Sequence, residues 1–154
     1  MIIGSSTFIH VGQLHVDVAP AAISTVLGSC VAVCLYDTKL GIGGMNHYLL
    51  PFWNGNGLQS LRFGNISIPK LIETMLEHGS SINTMEAKIF GGASMNISAN
   101  ENMMIGKKNI LVAKEILKTY KIAVVAEDVG GINGRKIQFN LERKKVLLKY
   151  TSDK

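Results

Sequence analysis

Charge and aromatic rings are both scarce in this chain. Only 18% of its 154 residues are charged and 6% aromatic, while 47% are hydrophobic. A chain so apolar buries enough surface to offset the entropy of ordering, which excludes intrinsic disorder. The two cysteines are too few for a disulfide framework, so a reducing, cytoplasmic setting with free thiols is expected. No apolar run is long enough to cross a bilayer. The opening MIIGSSTFIH lacks the basic start and apolar core of a signal peptide. No repeat, low-complexity tract or linker interrupts residues 1–154, so one compact domain is expected.

The charge that is present is unevenly placed. The first sixty residues hold one lysine and two aspartates, so the net +5 comes from the remainder. Its densest part, Arg143-Lys144-Lys145 beside Arg135-Lys136, lacks stacking aromatics and any recognised nucleic-acid module. It reads as a solvated turn between strands or a dock for an acidic protein. Binding to nucleic acid is not expected.

Strand-like segments outnumber helical ones. Residues 12–18 alternate with period two, and residues 23–27 and 31–36 are rich in β-branched and apolar types. Asp37 to Gly41 is turn chemistry, and residues 42–50 resume as a glycine-rich strand. Residues 52–64 read as a surface loop with aromatic anchors. A helix is expected over about residues 69–78, with Pro69 in its first turn and Ser67 as cap. Residues 88–90 form a short strand, 107–120 a second helix, 122–126 a strand, and 136–141 with 145–150 a closing hairpin. The expected fold is α/β of the α+β type: mostly antiparallel or mixed β-sheet layers with two main helices.

Chemistry concentrates in residues 27–51, LGSCVAVCLYDTKLGIGGMNHYLLP. Cys30 opens the first strand and His47 nearly closes the second. A thiol is a weak nucleophile until a base takes its proton, and histidine is the usual base. A two-residue turn at Thr38-Lys39 places the pair directly opposite, with Cβ atoms about 4.5–5.5 Å apart. A three-residue turn puts them on opposite faces unless a bulge at Gly43-Gly44 restores the match. Gly28 and Ser29 let the backbone turn sharply, leaving N–H groups free to meet an oxyanion. The bland alternative is a small buried thiol and a satisfied sheet histidine. Cys34, about 13 Å farther along the same face, reads as core. C-x3-C without a second cluster is poor zinc spacing, and no glycine cluster matches a phosphate loop. No metal or cofactor is expected.

Four segments, LGSCVAVCLYD (27–37), GGMNHYLLP (43–51), FGGA (90–93) and DVGGINGRK (128–136), resemble the chemoreceptor glutamine deamidase family of bacterial and archaeal chemotaxis, CheD. The resemblance implies a fold related to cysteine-dependent toxin deamidases. It implies a protein-glutamine glutaminase that turns receptor glutamines into glutamates, with methylesterase activity in some members. It carries the nucleophile onto Cys30 and the base onto His47. The third family residue, a threonine six positions before the cysteine, falls on Ser24, with Thr25 as fallback. The implied partners are chemoreceptors and the CheC phosphatase, which acts on phosphorylated CheY. The alternative to catalysis is a binding module that stimulates CheC.

Overall fold

The computed structural model describes residues 4–94 and 100–151, residues 100–104 by backbone alone. Nine strands form two sheets. The first sheet has the order β1 (Ser6–Phe8), β3 (Ala22–Leu27), β8 (Gly134–Asn140) and β9 (Lys145–Thr151). The second has the order β2 (Gln13–Val18), β5 (Ile42–His47), β4 (Val31–Asp37), β6 (Met85–Gly91) and β7 (Ala123–Val129). Pairing is antiparallel except for β1 with β3 and β6 with β7, so both sheets are mixed. Helices α1 (Gly64–Glu77) and α2 (Asn100–Thr119) cover the second sheet.

The apolar pattern explains the layering. All seven residues of β4 are buried, because it is central and covered on both faces. Val31, Val33 and Leu35 pack against Leu71, Ile72 and Met75 of α1 and Val112, Ala113 and Leu117 of α2. The alternate residues Ala32, Cys34 and Tyr36 face the first sheet, against Ile23, Leu27, Ile137 and Phe139. Each large side chain buried this way contributes about 1.5–3 kcal/mol. The expected mixed-sheet α+β layout with two helices is the one found.

Strand β1 has no counterpart in the sequence reading, and three further details differ from it. The loop from β4 to β5 spans residues 38–41, not two residues. Asp37 builds it: its carboxylate accepts the N–H groups of Lys39 and Leu40, each at 2.8 Å, and the hydroxyls of Ser80 and Thr84, each at 2.6 Å. Burial alone pushes the Asp37 pKa up, but these four donors together hold it well below the usual carboxylate range. Helix α1 starts at Gly64, and Ser67 is not its cap. The first donors are satisfied by the loop, Gly64 N–H on Leu50 and Asn65 N–H on Pro51. The Ser67 hydroxyl instead accepts from Asn46 Nδ2 at 2.9 Å. Helix α2 starts at Asn100, running through Gly106, where a Cβ would lie 2.6 Å from the Gly92 carbonyl.

Candidate active site

The register decides where Cys30 and His47 meet. Cys34 faces Met45 and Tyr36 faces Gly43, two residues off the pairing that a two-residue turn gives. Val31 and Tyr48 continue that pairing through two backbone hydrogen bonds of 3.1 and 3.0 Å. His47 therefore lies across from Ala32, and Cys30 lies one step beyond the bridge. A shift of two preserves the face of every side chain, where a shift of one inverts it. Extended by one step on regular ladder geometry, this register makes Cys30 and His47 diagonal neighbours, a relation in which Cα atoms lie roughly 7–8 Å apart. Asn46 secures this end of the strand. Its Oδ1 accepts the Val33 N–H at 2.7 Å while its Nδ2 reaches Ser67.

His47 is 6% exposed, and among the described residues the one hydrogen-bonding partner of its ring is Thr25. Thr25 Oγ1 stands 2.7 Å from His47 Nδ1 and 2.8 Å from the Ile9 carbonyl oxygen. A carbonyl only accepts, so the single hydroxyl proton goes to Ile9. The hydroxyl oxygen must then accept from Nδ1–H. This fixes the tautomer: the proton sits on Nδ1, and Nε2 keeps a lone pair. Burial pushes His47 down to about 4, helped by the charge of nearby His10. Burial pushes the Cys30 thiol up to about 11, opposed by its own backbone N–H. At neutral pH the resting pair is therefore thiol and neutral imidazole, not an ion pair.

Alternation along β3 sorts its two hydroxyls. Ile23, Thr25 and Leu27 face the sheet interface, and Thr25 is fully buried. Ser24 points the other way, beside Lys136, Gln138 and Leu147 on the outer face. The structure brings Thr25, not Ser24, to His47. Cys34 is fully buried between the sheets, and burial pushes its thiol up.

The backbone around Cys30 is tied from one side. The Gly28 carbonyl accepts from Ala93 N–H at 3.0 Å, and the Cys30 carbonyl from Gly92 N–H at 2.9 Å. The Ser29 carbonyl accepts from Asn109 Nδ2 at 3.1 Å. Among the described residues, no backbone carbonyl takes the N–H of Ser29 or Cys30. Gly91 makes the approach feasible: its φ is +109°, and a Cβ there would lie 2.2 Å from the Cys30 carbonyl oxygen. The Gly91 turn is held by Arg135, which is 3% exposed and donates to Asp128 at 2.8 Å and to the Gly130 carbonyl at 2.8 Å. Gly130 N–H in turn reaches the Gly91 carbonyl at 2.9 Å. All four segments singled out in the sequence thus converge on one loop.

Sequence reasoning missed Asn109 and the nearness of His10 to His47. Asn109 had a signal, since it lies four residues before Ala113 in the apolar stripe of α2. For His10 there was none, because residues 9–11 lie outside any regular pattern. Among the described residues no group of three or more His, Cys, Asp or Glu gathers to hold a metal, and no helix is long and apolar enough to cross a membrane.

A family model described as CheD chemotactic sensory transduction matches residues 49–150. A probable chemoreceptor glutamine deamidase CheD of Sulfurimonas denitrificans is 54% identical over 144 residues, covering 93% of this chain and 92% of that one. Its counterpart in Trichlorobacter lovleyi is 46% identical, covering 92% and 88%. One from Thermococcus kodakarensis is 41% identical, covering 94% and 92%. With the family model matching most of its length and such relatives spanning nearly all of it, the chain belongs to the CheD family.

Proposed function

We propose that this protein is a cysteine-dependent deamidase of chemoreceptor glutamines. The observation that carries the reading is the Thr25–His47 hydrogen bond, which leaves Nε2 bare on the face that Cys30 shares. The names of the relatives supply the substrate class.

The steps follow from the chemistry of the groups. His47 Nε2 takes the Cys30 proton as Sγ attacks the glutamine side-chain carbonyl carbon. Charge that develops on the carbonyl oxygen is met by the N–H groups of Ser29 and Cys30. Imidazolium then gives its proton to the departing nitrogen. Ammonia leaves, and a thioester remains on Cys30. A water molecule, its proton taken by His47, attacks the thioester. The C–S bond breaks, glutamate is released and the thiol regains its proton. The neutral resting pair means the thiolate forms only during attack. Thr25 stabilises the transient imidazolium through Nδ1–H and keeps the ring oriented, as the third member of such sets does.

A receptor glutamate methyl ester offers the same acyl carbon, so methylesterase activity belongs to this reading. The site of action is the cytoplasmic helical region of the receptors, and a CheC phosphatase is the further partner it includes. The test is to incubate the protein with cytoplasmic fragments of the host organism's receptors and measure ammonia. Release that depends on Cys30 supports the reading. No release, together with tight CheC binding, contradicts it in favour of a binding module.

A further inference from the structure

A helix buried on one face has little use for an asparagine there. The residue is a mediocre helix former, and its amide needs partners once removed from water. Asn109 of α2 is fully buried, one turn before Ala113 in the stripe that packs on the second sheet. Its Nδ2 donates to the Ser29 carbonyl at 3.1 Å and to the Leu49 carbonyl at 2.9 Å. Both partners only accept, which fixes which end of the amide faces them. Its Oδ1 has no partner among the described residues. An unpaired buried acceptor carries a desolvation cost that an apolar residue at this position avoids.

What that cost secures follows from peptide geometry. In a planar trans peptide the N–H points opposite to the C=O of the preceding residue. The Gly28 carbonyl is held by Ala93 and the Ser29 carbonyl by Asn109, both on the α2 side. Their peptide partners, the N–H groups of Ser29 and Cys30, are therefore aimed away from α2. Of the two anchors only Asn109 is a side chain. It also holds Leu49, which follows His47 and Tyr48 along the chain. The Tyr48 hydroxyl donates to the Asn109 backbone carbonyl, tying the same helical turn to the strand end.

We propose that Asn109 is a positioning residue for acyl transfer, holding the Ser29 carbonyl so that the Cys30 N–H faces the developing oxyanion. The inference rests on the acyl-transfer reading above but does not depend on the substrate. Two probes separate it from simple support of the fold. Acetyl transfer from p-nitrophenyl acetate to Cys30 passes through an oxyanion. Alkylation by iodoacetamide is a direct displacement and does not. In Asn109→Ala, acetylation and ammonia release fall about 10²–10³-fold through kcat, while alkylation stays within about threefold of the parent chain. In Asn109→Asp a carboxylate confronts two carbonyl oxygens. Acidification returns one donor, so acetylation recovers relative to the parent as pH falls, and this variant decides the matter if the alanine variant fails to fold. Acetylation near the parent rate, or acetylation and alkylation lost in parallel in both variants, overturns the proposal. If acetylation depends on Asn109 but the parent releases no ammonia from receptors, the deamidase reading fails and this inference stands. If the variants release ammonia at the parent rate, the inference fails and that reading stands.

Discussion

Thr25 Oγ1 lies 2.7 Å from His47 Nδ1, and its own proton goes to the Ile9 carbonyl. One hydroxyl thereby specifies which nitrogen of the base is free. Thr25→Val keeps the shape but removes the acceptor, leaving a buried N–H unpaired and the tautomer unselected. Ammonia release should fall on the order of 10²-fold, at the lower end of what a general base contributes. Thr25→Ser should recover most of it. Ser24→Ala, on the outer face of β3, should leave the rate near the parent value. Steady-state assay of the three variants checks this.

The neutral resting pair sets a pH dependence. Cys30 is held at about 11 and His47 at about 4, so neither changes charge across neutrality. The profile of kcat/KM should be flat from about pH 6 to 9, since it reports the free enzyme's essential acid and base. An arm near the ordinary histidine value contradicts this.

Stability carries the same signature. Unfolded His47 takes up a proton near 6.5, and folded His47 only near 4. The unfolded chain binds more protons in that interval. Its contribution is therefore complete above 6.5 and lost as pH falls toward 4, on the order of 3 kcal/mol in all. Denaturant melts across this window should show the slope, and His47→Gln should remove it.

The Gly91 turn is the third target. Gly91→Ala combines φ +109° with a Cβ placed 2.2 Å from the Cys30 carbonyl oxygen. The Cys30 loop must shift, so activity should be lost along with about 1–3 kcal/mol of stability. Gly130→Ala is the comparison: φ is +79°, but a Cβ there meets nothing within 4 Å. It should cost strain without loss of activity. Melting curves and ammonia assays on both variants check the contrast.

Much of this was legible in the sequence because the signals were periodic. Eight of the nine strands and the two helices follow from period-two alternation, runs of β-branched and apolar residues, and one helical stripe, whereas β1 (Ser6–Phe8) carries too short a pattern to read. Cys30 and His47 stood out through residue type and spacing. The turn length did not, because the Asp37 carboxylate organises residues 38–41 through Ser80 and Thr84, more than forty positions away. The shift was harmless to the pair only because it was even. The choice between Ser24 and Thr25 lay in the facing of β3, which parity suggests but only the packing of two sheets decides. Ser67 looked like a cap because its type fits, yet Asn46 claims its hydroxyl. Asn109 acts through carbonyls of two distant segments, and backbone acceptors leave no trace in composition.

The most direct test compares the two cysteines by mass spectrometry of receptor fragments. Cys30 is half-buried on the face it shares with His47, and Cys34 is sealed between the sheets. The parent chain and Cys34→Ala should convert defined receptor glutamines to glutamates, and Cys30→Ala should leave every glutamine unchanged. Conversion by Cys30→Ala at the parent rate would contradict the assignment of Cys30 as nucleophile.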